Sequence, residues 1–238
     1  MAIYGLSDLH LAIDTPDKSM EVFGGNWKDY IRRIGENVRA KVTDGDTILM
    51  PGDLSWVMYL NDGKKDFSFI DSLPGTKLIG RGNHDYFWST AKKMENYFAA
   101  EGLNTIKIVK NNAIPVEDSL VTGTRGWKMP TDDGFKDEDR KILDREIGRF
   151  RLCLDALDKE DPSHEKRHIV MTHYPVWSSN AVNREVDELF ESHHVDLCIY
   201  GHLHGRAHSL VYEGTPENRC TKYVCVSADY INFDPVKL

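Results

Sequence analysis

An α/β fold built on a largely parallel sheet is what this chain predicts, and three observations predict it. Short apolar runs alternate with amphipathic helical stretches in the first half, the alternation returns beyond residue 143, and His, Asp or Asn follows directly after five strand-like runs. Strand–helix alternation favours parallel strands, because a parallel connection needs a crossover. The chain has 238 residues, a length that suits one core, and we read 1–238 as a single domain.

Ile3 to Ser7 reads as a short buried strand, followed by a loop through Pro16 and Gly24-Gly25. Trp27, Tyr30, Ile31, Ile34 and Val38 recur at helical spacing, and Asp44-Gly45-Asp46 turns the chain into a strand from Thr47 to Met50. Pro74-Gly75 precedes a strand from Thr76 to Ile79, and a polar helix follows from Ser89 to Ala100 with Ser89 as N-cap. Ile106 to Val109, Ala113 to Val116 and Leu120 to Thr124 read as strands with no long helical pattern between them, which indicates a second sheet or an antiparallel edge. Leu143, Ile147, Phe150, Leu154 and Leu157 make one apolar stripe of an amphipathic helix. Strands at Ile169 to Thr172 and Leu197 to Tyr200 flank a helix near Asn183 to Phe190, and the tail offers strands near Ser209 to Tyr212 and Tyr223 to Ser227. The Asp- and Gly-rich stretch from Met129 to Lys141 is expected to be a mobile loop or a solvated connection.

Composition narrows the class. Hydrophobic residues make up 40% and charged residues 29%, and no apolar run approaches the roughly 20 residues of a spanning helix. We expect a cytoplasmic protein with no membrane association, because the first residues lack the basic and apolar regions of a signal peptide. Cys153, Cys198, Cys220 and Cys225 form no CxxC pair and are expected as reduced thiols. The net charge of -8 argues against stable binding to a nucleic-acid backbone, while small anions remain compatible if bound cations dominate the local field.

The chemistry stands at strand ends: Asp8-Leu9-His10 after the first strand, Gly52-Asp53 after the second, Gly82-Asn83-His84-Asp85 after the third, then Thr172-His173 and Gly201-His202-Leu203-His204. Ligands of parallel α/β sheets gather beyond the carboxyl ends of the strands, where glycines let the backbone turn close to the site. Each histidine alone could be a hydrogen-bonded or surface residue; five segments in order point to one metal site. Imidazole, carboxylate and amide without thiolate suit Mn, Zn, Fe, Co or Ni, with Mn favoured. The ligands suffice for two divalent ions per chain if one carboxylate bridges them.

This ordered series resembles the calcineurin-like metallophosphoesterase superfamily, in its small bacterial phosphohydrolase and phosphodiesterase branch. The resemblance implies a four-layer α/β/β/α sandwich with two mixed central sheets and a dinuclear site at their edge. It implies Asp8, His10 and His204 as ligands of one metal, Asn83, His173 and His202 as ligands of the other, and Asp53 as the bridge. His84 matches the family's catalytic histidine and Asp85 the residue that orients it. The implied reaction is hydrolysis of a small phosphate ester, monoester or diester, by a hydroxide bridging the two metals.

Departures and alternatives bound that expectation. The run Gly52-Asp53-Leu54-Ser55-Trp56 lacks the longer motif of the protein Ser/Thr phosphatases, and Arg is absent from the place of His84, unlike the lipid A enzymes. A catalytically silent scaffold of the same fold is the alternative, and a mononuclear zinc hydrolase would need H-E-x-x-H, which does not occur. Trp56, Tyr86, Phe87 and Trp88 could stack on a substrate or pack in the core. Arg81 and Arg125 could meet a phosphate or a structural carboxylate, and Tyr174-Pro175 with the loop from Trp177 to Asn180 is expected to border the site. His164, His168, His193, His194 and His208 lie outside the motifs and are read as non-ligands. Purple acid phosphatases place a Tyr ligand where this chain has Trp56, which cannot ligate iron as a phenolate. Iron-loaded protein is therefore expected to show no strong visible charge-transfer band; a purple colour would contradict this reading.

Overall fold

The computed structural model describes all residues from Met1 to Leu238. In chain order the strands are β1 (Ile3–Gly5), β2 (Thr47–Met50), β3 (Thr76–Ile79), β4 (Ile106–Ile108), β5 (Ile114–Val116), β6 (Ser119–Thr124), β7 (Arg167–Thr172), β8 (Leu197–Tyr200), β9 (Lys222–Cys225) and β10 (Val236–Lys237). The helices are α1 (Tyr30–Lys41), α2 (Lys64–Ser72), α3 (Ala91–Ala100), α4 (Asp137–Glu160) and α5 (Arg184–Ser192). The chain divides into two compact units, residues 1–108 with 226–238 and residues 109–225, each holding one five-stranded sheet. Two mixed sheets with helices are the α/β class the resemblance implies.

In the first unit the order is β10-β1-β2-β3-β4, all parallel except β10, which runs antiparallel to β1. Strand alternation puts Tyr4, Ile48, Met50, Ile79, Ile106 and Ile108 into one core cluster. Ile34 and Val38 of α1, Phe67 and Ile70 of α2, and Met94 and Phe98 of α3 join it, each pair at a spacing of three or four that puts both side chains on one helix face. The intervening Ile3, Leu49 and Leu78 are buried too, which explains why these strands read as unbroken apolar runs.

Helix α2 escapes a reading of the sequence because its cap is remote. Gly63 offers no capping side chain; instead Asp14 Oδ2 accepts the N–H groups of Lys65 at 2.7 Å and Asp66 at 3.0 Å, a carboxylate at the positive end of a helix. Asp66 returns the contact, accepting from Ile13 N at 2.8 Å and Ser55 Oγ at 2.5 Å, and its burial raises its pKa. One helix start thus pins the loops that follow β1 and β2. At the other end of α2, Lys77 Nζ donates to the carbonyls of Asp71 (3.1 Å), Leu73 and Gly75 (2.8 Å). Its side chain is fully buried and burial pulls its pKa down to about 8; one carbonyl for each ammonium proton keeps it charged at neutral pH.

In the second unit the order is β5-β6-β7-β8-β9, all parallel except β5 against β6. Pro115 lies in β5, where an edge strand tolerates a missing donor. The expected stripe from Leu143 to Leu157 is the buried face of α4, and Phe150 meets Phe190 of α5 edge to face at 5.5 Å. Three expectations are corrected. Helix α3 is capped by Thr90, whose Oγ1 accepts from Lys93 N at 3.3 Å, rather than by Ser89. Part of the expected loop from Met129 to Lys141 is helical, since α4 begins at Asp137 with three acids in its first turn. No strand forms near Ser209 to Tyr212: Gly205–Leu210 is a 3-10 segment. The chain after it is held by the Tyr200 hydroxyl, which donates to Tyr212 O and accepts from Tyr212 N, and by the Gly214–Tyr223 bridge to β9. All four cysteines are free thiols, three of them buried, and no helix is long and apolar enough to cross a membrane. Lys77→Met should destabilise the chain by about 2 kcal/mol or more in urea unfolding, because three carbonyls lose their donor; an unchanged midpoint would refute the role of the buried ammonium.

Candidate metal centre

The loop after β1 and the loop after β2 run side by side as an extension of the sheet. Asp8 N donates to Gly52 O at 3.0 Å, His10 N to Asp53 O at 3.0 Å, Leu11 N to Leu54 O at 2.9 Å, and Trp56 N returns to Leu11 O at 3.0 Å. Tyr30 of α1 adds a bond from its hydroxyl to His10 O at 2.7 Å. Burial pushes this phenol up to about 12, so it stays a donor. Asp8, His10 and Asp53 are 0%, 3% and 1% exposed. Asp8 offers ligand atoms within 4.8 Å of those of His10 and of Asp53, and His10 Nε2 lies 3.7 Å from Asp53 Oδ2. All three residues have positive φ, at 57°, 43° and 53°, a conformation that costs an L-residue roughly 1 kcal/mol or more each.

The third motif meets the second where only backbone fits. A Cβ on Gly52, at φ +100°, would come 2.3 Å from Gly82 N, and one on Gly82 would come 2.0 Å from Asp53 Oδ1. Asp85, 1% exposed, fastens this crossing: its carboxylate accepts from Asp53 N at 2.9 Å, Leu54 N at 2.8 Å and Gly82 N at 2.7 Å. Asp53 Oδ1 in turn accepts from His84 N at 2.8 Å. The expected orienter of His84 is therefore bonded to three backbone amides of the two turns, and acts on the loop that carries the histidine.

Around His84, Asn83 is half-buried and Tyr86 is exposed, with its hydroxyl 3.4 Å from His84 Nδ1. Trp56 stacks on His10 at 4.8 Å and 23°, and its ring is also 4.8 Å from that of His84. Phe87 belongs to the core against Phe67. Of the four aromatic residues weighed in the sequence, Trp56 and Tyr86 thus line the histidines. The contact of Tyr30 with His10 is not legible in advance, since nothing in the sequence links two positions twenty apart.

In the second unit His173 follows β7, with its N–H and that of Tyr174 both donating to Arg125 O at 3.0 Å. Gly201 N reaches back to His173 O at 3.2 Å, so the turn after β8 is bonded to the turn after β7. The His173 and His202 rings are 5.1 Å apart, and His202 lies 4.1 Å from the Tyr174 ring. His202 has φ 74°, and His204 is the residue before the 3-10 segment. A cavity of about 420 Å³ opens beside His202, lined among others by Trp127, Lys128, Tyr174, Pro175 and Asn180. Arg125 meets the buried Glu146 at 3.5 Å and lies over Trp127.

The donor set fits divalent cations. Two carboxylates and an imidazole, nearly devoid of solvent, need a compensating charge, and oxygen with imidazole nitrogen is the ligand chemistry of Mn, Zn or Fe. The turns after β7 and β8 offer three further imidazoles.

Residues 1–206 match the family of calcineurin-like phosphoesterases. No curated protein matches the chain in sequence. Among solved structures, the protein of unknown function AQ665 from Aquifex aeolicus is similar at TM-score 0.51 and 16% identity, over 99% of this chain and 95% of that one. TT1561 of Thermus thermophilus is similar at TM-score 0.58 and 11% identity, over 99% and 97%. At these identities the likeness is one of fold, and the family match over residues 1–206, which takes in every strand-end motif described above, carries the assignment: the chain belongs to the calcineurin-like phosphoesterase family.

Proposed function

We propose that this protein hydrolyses phosphate esters at a centre of two divalent metal ions, with residues 1–238 acting as one catalytic domain. The observation that carries the reading is the buried trio Asp8, His10 and Asp53, held in left-handed conformations at the ends of adjacent strands, in a chain of a phosphoesterase family that uses divalent metals. Strained backbone at clustered, buried polar residues is one mark of a functional site. Asp8, His10 and His204 would hold one ion, Asn83, His173 and His202 the other, and Asp53 would bridge them. Mn²⁺ is the ion we expect to serve best.

When bound, two such cations acidify a water and draw charge from the phosphoryl oxygens. The protein's own groups divide the remaining work. His84 donates a proton to the departing ester oxygen, or a hydrogen bond to the phosphoryl group, from the ring nitrogen that Tyr86 does not face. Asp85 holds the loop of His84 against that of Asp53, so the donor is positioned before substrate arrives. Trp56, stacked on His10, keeps water from one side of that imidazole. The cavity beside His202, with the rings of Trp127 and Tyr174 in its lining, has aromatic faces to receive the organic part of an ester.

On Mn²⁺-loaded protein, His84→Ala should lower kcat on bis-p-nitrophenyl phosphate by about 10²–10⁴-fold while the metal content stays at the wild-type level. If His84 is the proton donor, the loss should be larger for a phenyl ester than for a p-nitrophenyl ester, whose leaving group departs without help. Parallel loss of metal would contradict the assignment. Comparing bis-p-nitrophenyl phosphate with p-nitrophenyl phosphate on the same protein then separates diester from monoester preference, and silence on both would favour a scaffold.

A further inference from the structure

A second group of metal-type side chains lies at the opposite end of the second unit's sheet. Asp158 is in the last turn of α4, His164 in the loop that follows, and His168 is the second residue of β7. Their ligand atoms lie within 4.8 Å of one another. His164 Nε2 is 3.8 Å from Asp158 Oδ1, and the His164 and His168 rings are 5.0 Å apart. Donors at about 2.1 Å around a tetrahedral Zn²⁺ stand roughly 3.4 Å apart, so small side-chain rotations close this set on an ion.

His168 supplies the independent sign of a ligand. It is 0% exposed; its Nε2 faces Asp161 Oδ2 at 3.3 Å, while its Nδ1 is buried with no hydrogen-bond partner. Asp161 accepts the N–H groups of Lys166 at 2.8 Å and Glu165 at 3.1 Å. The Nε2 contact with Asp161 is the carboxylate–histidine pairing found behind metal-bound imidazoles, and it leaves Nδ1 as the unengaged nitrogen. Asp158 is prepared the same way: His193 Nδ1 is 2.7 Å from its Oδ2, while its Oδ1 is buried without a hydrogen bond. His194 packs its ring edge-on against His164 at 5.0 Å, and both are exposed, which leaves the set open to solvent on that side. A buried polar atom without a partner costs about 1–3 kcal/mol, and two of them in one cluster call for a shared partner.

We propose that Asp158, His164 and His168 form a Zn²⁺ site, with His193 and Asp161 behind the ligands and water in the open position. The site ties the end of α4 to the start of β7. Five residue steps of extended strand separate His168 from His173, roughly 16 Å, so this ion is separate from the centre that includes His173 and does not depend on it. Two nitrogens and one carboxylate oxygen suit zinc ahead of Mg²⁺ or Ca²⁺.

The test counts zinc per chain on full-length protein that has been stripped with chelator, reloaded with Zn²⁺ and desalted. His164→Ala, which removes a partly exposed ring, and the near-isosteric Asp158→Asn should each retain one zinc fewer than wild type. Phosphoesterase turnover should be unchanged when the same proteins are assayed with Mn²⁺. Wild-type zinc content in either variant overturns the proposal. So does turnover lost in step with the zinc, which would place the missing ion at the catalytic centre.

Discussion

Where the turns after β2 and β3 pass each other there is room for backbone alone. Gly52 and Gly82 supply the room, and the Asp85 carboxylate, bonded to amides on both turns, makes the approach a fixed one. Everything chemical in the first unit hangs on that crossing. Asp53 is delivered from one turn and His84 from the other, and the N–H of His84 on Asp53 Oδ1 makes the spacing of carboxylate and imidazole a property of the main chain. The loop of Asp8 and His10 is then laid against the Asp53 loop by alternate backbone bonds, with Tyr30 and α2 holding its outer side. Side chains arranged by backbone contacts of this kind need little reorganisation when a charged ligand arrives.

Much of this is legible in the sequence because two signals coincide: apolar runs mark the parallel strands, and a polar residue directly after such a run must emerge at the sheet's carboxyl edge. The strands β2, β3 and β8 read at their observed ends for that reason. What stays hidden depends on partners remote in sequence. Helix α2 carries only Phe67 and Ile70 in the core cluster and is capped by Asp14, some fifty positions earlier. Leu210 and Val211 look like strand residues, yet the chain meets the outer edge of β9 only at the Gly214–Tyr223 bridge. Strain is equally invisible: nothing in the letters Asp8-Leu9-His10 indicates left-handed backbone at the two polar positions. The resemblance implies that Asp85 orients the imidazole, and nothing in the sequence shows that its carboxylate also accepts from three backbone amides.

The histidines outside the motifs carry a related lesson. His164, His168, His193 and His194 match no family pattern, although they are four of the chain's ten histidines. A pattern built from one site is silent about another. What brings them forward is a physical criterion, a fully buried imidazole with one nitrogen engaged by a carboxylate and the other bare. The second unit then has charge-bearing groups at both ends of its sheet.

Thermal unfolding of metal-stripped protein with and without Mn²⁺ tests most directly whether metal binding turns on Asp53. A ligand at a hundred times its Kd stabilises the folded state by about 2.7 kcal/mol, enough to move the transition by several degrees. Wild-type protein should show that gain. Asp53→Asn keeps an acceptor for the His84 N–H but loses the carboxylate charge, and should gain little. An equal gain in the variant would contradict the account.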